Sequence, residues 1–115
     1  MNDSGIMMQL DRLLAERRRS ADPAASYTAS LYAAGTAAIN AKVAEESAEV
    51  IEAAQQADGA GAQERAHLVY EVADLWFHCM VLLQAHDLSV ADVQAELARR
   101  FGISGLAEKA ARSAR

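Results

Sequence analysis

An all-α fold, a bundle of about five helices around two long central ones, is predicted by three features of this 115-residue chain. Hydrophobic residues make up 52% of it with alanine dominating, and aromatics only 5%, a balance that favours helix over strand. Apolar residues recur at spacings of three and four, and no segment alternates with period two. One proline, Pro23, and six glycines leave two long runs uninterrupted. The length fits a single domain over residues 1–115, small enough that pairing with a second copy would help complete its core.

The elements follow in order. Asp3 or Ser4 can cap a first helix carrying Ile6, Leu10, Leu13 and Leu14 at helical spacing. It ends in Arg17-Arg18-Arg19, where cations suit a helix C-terminus. After a connector around Pro23, Ser26 to Leu31 opens a short helix that stops at Gly35. Thr36 is expected to cap a long helix to about Ala57, with Ile39, Val43, Val50 and Ala54 on one face. Asp58 to Gly61 reads as a loop. The second long helix, about Ala62 to His86, is the most apolar: Leu68, Val72, Leu75, Cys79, Leu82 and Leu83 form one face, and Trp76, Phe77, Met80 and Val81 fill most of the rest. A helix apolar nearly all round is central or lies at a subunit interface. Ser89 caps another helix with Val90, Val93 and Leu97 inward, Phe101-Gly102-Ile103 turns the chain, and Ser104 can cap a last helix through Ala111.

A net charge of −5 argues against nucleic acid as partner, because phosphate binding needs a basic stripe. Cys79 is alone, which excludes an internal disulfide and a thiolate-rich metal site, and its apolar neighbours read as a buried thiol. The chain starts without a signal-peptide pattern, and its longest apolar stretch, Leu75–Leu83, holds His78 and is too short to span a bilayer. A cytoplasmic protein is expected.

Against that apolar background five acids form two helical patterns, Glu45-Glu46-x-x-Glu49 and Glu71-x-x-Asp74. Each pattern projects its acids in one direction. Glu46 falls in the middle of an apolar face, with Glu49 and Lys42 on its flank and Glu45 further round. Glu71, Asp74 and His78 share a stripe on the most hydrophobic helix. Surface acids usually meet a Lys or Arg one turn on; here only Lys42 is available. Buried carboxylates need protons or cations, and oxygen ligands without a Cys or His cluster select Mg²⁺ or Mn²⁺ over zinc. His78 is more simply a core histidine, or a group orienting a carboxylate.

This string of acids resembles the signature of the all-α nucleoside-triphosphate pyrophosphohydrolases. More narrowly, the chain resembles the phosphoribosyl-ATP pyrophosphatases of histidine biosynthesis. The matching stretches are Ser26-Tyr27-Thr28-Ala29-Ser30-Leu31, Gly35-Thr36, Lys42-Val43-x-Glu45-Glu46, Tyr70-Glu71-x-Ala73-Asp74-Leu75 and Arg100-Phe101-Gly102-Ile103-Ser104-Gly105-Leu106. They run from about Ser26 to Arg112. The acids identify the superfamily; the serine-tyrosine segment and the glycine-containing tail narrow it.

The resemblance implies Mg²⁺-dependent hydrolysis of phosphoribosyl-ATP to phosphoribosyl-AMP and pyrophosphate. It implies Glu46, Glu49, Glu71 and Asp74 as metal ligands, and Glu45 as a further ligand or, with Glu46, the catalytic base. Lys42 would contact a phosphate or pair with Glu45 or Glu46. Arg99, Arg100, Lys109 and Arg112 would be available to the phosphoribosyl end, with helix-end solvation as the alternative. Ser26, Tyr27 and Thr28 would offer hydroxyls to an anion at a helix start, or serve as caps. With no cyclohydrolase segment in view, a stand-alone enzyme working beside a separate phosphoribosyl-AMP cyclohydrolase is expected, as a homodimer.

Three other readings compete. A pyrophosphohydrolase that removes non-standard nucleotides would share the acids but not the flanking segments. A non-catalytic oligomerisation module would show no Mg²⁺ dependence. A di-iron bundle normally needs Glu-x-x-His on two helices, and this chain has the string only once, at Glu64 to His67.

Overall fold

The computed structural model describes residues 4–20 and 22–101. Among these residues there are five helices and no strand: α1 Ser4–Ser20, α2 Tyr27–Ala34, α3 Thr36–Ala57, α4 Ala62–Ala85 and α5 Val90–Phe101. Ser4, one of the two expected caps, is instead the first residue of α1; Asp3, the turn beyond Phe101, the last helix from Ser104, and Lys109 and Arg112 lie outside the described residues.

Gly35 joins α2 to α3 at φ 97°, ψ 178°, a region that is essentially glycine-only. Its N–H bonds back to the Leu31 carbonyl at 3.1 Å and its own carbonyl accepts from Ala38 and Ile39, so one residue ends one helix and starts the next. Thr36 is therefore the first residue of α3 rather than its cap, and no side chain caps this helix. Ser26 does cap α2, its hydroxyl accepting from Ala29 N–H at 3.2 Å. Ser89 and Asp92 cap α5 reciprocally: Ser89 Oγ accepts from Ala91 N–H at 3.1 Å and Asp92 Oδ2 from Ser89 N–H at 2.9 Å.

The four-residue loop 58–61 folds α3 and α4 into a hairpin, the largest interhelical contact among the described residues. The buried core, Leu14, Leu31, Ile39, Met80, Val81 and Val90, lies where α1 and α2 cover the start of α3 and the end of α4. Arg18 ties α1 to the end of α4, donating to the Gln84 carbonyl and to Asp87 Oδ1, the latter at 2.7 Å. Asp87 is in the left-handed region at φ 59° within a Schellman-type ending, where Leu88 N–H reaches the Leu83 carbonyl.

Several expected inward residues are not buried. Ile6 and Leu13 on α1 and Val93 and Leu97 on α5 are exposed. On α1 the expected Leu14 is buried, joined by Asp11, and the expected Leu10 packs against the core with Met7 and Met8. On α3 it is Ala53, not Ala54, that is buried. On α4 the row from Leu68 to Leu83 is only part-buried, while Glu71, His78, Met80, Val81 and Gln84 are buried. The acidic stripe of α4, rather than its most apolar row, faces the bundle. The distal half of the hairpin leaves an open apolar cleft between Val50, Ile51 and Ala54 on one side and Leu68 and Val69 on the other. By length and composition α4 is apolar enough to cross a membrane, but its buried face carries Glu71 and His78.

Candidate metal centre

α3 and α4 bring all five acids together where the closed core gives way to the open half of the hairpin. Glu45, Glu46 and Glu49 place carboxylate oxygens within 4.8 Å of one another, and so do Glu46, Glu71 and Asp74. Glu46 belongs to both groups. It is 4% exposed and Glu71 8%. Glu46 Oε2 and Glu71 Oε1 are buried and have no hydrogen-bond partner among the described residues. An orphaned carboxylate oxygen is costly, and two of them in one pocket fit a hard cation with oxygen ligands.

The electrostatics agree with the geometry. Burial, then the charges of Asp74 and Glu49, push the Glu46 carboxyl up to about 7. Burial, then the approach of Glu49, raise Glu71 as well, with His67 opposing. Glu45, exposed, goes the other way: Lys42 bonds it at 2.7 Å and holds it below the ordinary carboxylate range. Lys42 stays 3.8 Å from Glu46. The expected alternative for Lys42, an ion pair with the acids, is thus present in the structure.

His78 is buried beside the cluster. Its Nδ1 donates to the Asp74 carbonyl at 2.8 Å and is 4.0 Å from Glu46 Oε1. In the neutral ring this leaves Nε2 as the acceptor for the Tyr27 hydroxyl at 2.9 Å. His78 is therefore a core histidine that also braces the second acidic stripe. His67 was not among the expected residues, yet its Nε2 lies 3.4 Å from Glu71 Oε2. The signal was its i,i+4 spacing to Glu71.

The remaining expected residues sit elsewhere. The Ser26 hydroxyl is used as the α2 cap, and Thr28 is part-buried on α2. Arg99 and Arg100 lie on α5, which packs against α1, and both bond Glu96, at 2.8 and 2.9 Å. Those two guanidiniums hold the Glu96 carboxyl down at about 2.

Fold and site thus define a helical-bundle protein whose central hairpin carries a pocket of carboxylates that could hold a metal. A family model described as phosphoribosyl-ATP pyrophosphohydrolase matches residues 7–101. Proteins named phosphoribosyl-ATP pyrophosphatase are similar along nearly the whole chain. That of Azoarcus sp. (strain BH72) is 52% identical over 112 residues, 97% of this chain and 98% of the relative. That of Aromatoleum aromaticum is 50% identical over 113 residues, 98% of each chain. That of Neisseria gonorrhoeae is 55% identical over 97 residues, 84% of this chain and 85% of the relative. The chain belongs to the phosphoribosyl-ATP pyrophosphohydrolase family.

Proposed function

We propose that this chain hydrolyses phosphoribosyl-ATP to phosphoribosyl-AMP and pyrophosphate, the second step of histidine biosynthesis, at the carboxylate pocket of the α3–α4 hairpin. The observation that carries this reading is the pair of buried, unpartnered oxygens on Glu46 and Glu71 in a chain of this family. Glu46, Glu49, Glu71 and Asp74 would hold Mg²⁺, or Mn²⁺ in its place. The cation would reverse the sign of the pocket for a triphosphate and polarise the phosphorus under attack.

The chain's own groups do the rest. Glu46, shared by both groups of carboxylates, and its neighbour Glu45 would form the catalytic pair that orients water and takes its proton. Lys42, held by Glu45, is placed to turn to a phosphate oxygen. Tyr27 is tied to the pocket through its bond to His78, and its neighbours Ser26 and Thr28 are proposed for the same anion. Arg99, Arg100 and Lys109 are proposed for the phosphoribosyl end. The open cleft on the distal hairpin and the exposed Ile51, Val69 and Trp76 support a homodimer in which two hairpins share a core. We place the enzyme in the cytoplasm, as a single domain without nucleic-acid or membrane partners, its product passing to a separate cyclohydrolase.

The test is substrate preference. Pyrophosphate release should be far faster from phosphoribosyl-ATP than from any of the ordinary dNTPs. Equal or faster dNTP turnover would instead make this a nucleotide-pool hydrolase.

A further inference from the structure

Tyr27 opens α2 directly after its Ser26 cap and is 54% exposed. Its hydroxyl, however, is turned inward, 2.9 Å from Nε2 of the buried His78, with the ring edge-on to the imidazole at 82°. A surface tyrosine ordinarily keeps its polar end in water and its apolar body against the protein. Here the polar end is anchored and the residue's exposure falls on the rest of the side chain. The anchor is itself fixed, since His78 Nδ1 is bonded to the Asp74 carbonyl and the ring also meets Phe77 edge-on.

The position matters as much as the orientation. His78 lies 4.0 Å from Glu46 Oε1, so the Tyr27 ring stands at the rim of the carboxylate pocket, within electrostatic range of Lys42. With its hydroxyl committed to His78, Tyr27 is poorly placed to donate to a phosphate. What it presents is an aromatic surface that is already immobilised, and ordering such a surface adds little entropic cost on binding. Its natural complement is another π-face.

We propose that the ring of Tyr27 is the stacking platform for the purine base of the nucleotide whose phosphates enter the carboxylate pocket, with His78 as the positioning residue that holds the ring. This deepens the function proposed above and rests on its assignment of a purine nucleotide as ligand. It replaces the expected hydroxyl contact of Tyr27 by a base contact, and makes Tyr27 a residue that separates nucleotides from base-free polyphosphates.

Equilibrium binding tests it without turnover. In Mg²⁺, the intact chain and its Tyr27→Phe and Tyr27→Leu variants are titrated with phosphoribosyl-AMP and with inorganic tripolyphosphate, which has no base. Stacking of one base corresponds to a loss of about 5- to 150-fold in phosphoribosyl-AMP affinity for Tyr27→Leu. Tyr27→Phe, which keeps the π-face but loses the bond to His78, should bind it more weakly than the wild type and more tightly than Tyr27→Leu, and all three proteins should bind tripolyphosphate alike. Equal phosphoribosyl-AMP affinity in wild type and Tyr27→Leu overturns the proposal, and so does a wild type that does not bind it. A Phe variant as weak as the Leu variant overturns it by placing the contact in the hydroxyl. Parallel loss of tripolyphosphate binding in Tyr27→Leu also overturns it, since the ring would then only support the pocket. Pyrophosphate release from phosphoribosyl-ATP is scored separately, so a failure of hydrolysis and a failure of stacking are different results.

Discussion

Lys42 Nζ lies 2.7 Å from Glu45 Oε2 but 3.8 Å from Glu46 Oε1, so one cation is shared unequally between two consecutive glutamates. Glu45 is exposed and held ionised, whereas Glu46 is buried among other acids and pushed up to about 7. Lys42→Met should raise Glu46 further, because a charge that lowers it is gone. NMR titration of the Glu46 carboxyl in the metal-free protein should show that upward move. The stability change should be small, as for other exposed pairs.

The raised carboxyls fix a pH dependence. A carboxyl whose folded value is raised stabilises the native state below its unfolded value, and that stability is lost as pH climbs through the folded one. For Glu46 the window runs from the ordinary glutamate value of 4.5 to about 7, and Glu71 adds in the same direction. The metal-free protein should therefore melt at lower temperature at pH 7.5 than at pH 5. Millimolar Mg²⁺ should reverse this by binding only the native state, while NaCl at matched ionic strength should do much less.

Glu49→Gln and Asp74→Asn each remove one ligating charge and nearly conserve shape. Both should keep their helical circular dichroism and lose most pyrophosphate release. Both should also raise the metal-free melting temperature at pH 7.5, since each relieves like-charge repulsion on Glu46. Wild-type turnover in either variant would remove that residue from the site.

Asp11 was not singled out among the acids of the chain, yet it is a buried joint. Its Oδ1 accepts from Gln84 Nε2 at 3.0 Å and from Val90 N–H at 3.2 Å, joining α1 to the end of α4 and the start of α5. Asp11→Ala should cost about 1–3 kcal/mol by stranding two buried donors. The midpoint of urea unfolding should fall accordingly, with kcat at low temperature little changed.

If two hairpins share a core, the exposed Trp76 and Val69 become interior. Sedimentation at micromolar concentration should give a dimer, and Val69→Arg should shift it towards monomer. A fully active wild-type monomer would contradict this.

The plan of the five described helices was legible because alanine-rich period and turn residues agree along them: Gly35, the loop 58–61 and Ser89 each mark a real boundary. The acids were legible because they interrupt apolar faces. Which face of α4 turns inward was not, because that helix is apolar on nearly every side and periodicity then loses its contrast. Asp11 and His67 were hidden for another reason. Asp11 acts through residues more than seventy positions away, and His67 needs only one neighbour, a pairing too common in sequence to stand out. Arg99 and Arg100 were read as available although Glu96, three and four positions before them on one helix face, already marked both as its partners.

The central claim is that the carboxylates of α3 and α4 act through a divalent cation on a phosphoribosyl nucleotide. Pyrophosphate release from phosphoribosyl-ATP, measured with chelator and then with millimolar Mg²⁺, tests it most directly. Release should be near zero with chelator and should rise steeply and saturably on adding Mg²⁺. Equal release in both conditions, or none in either, would contradict it.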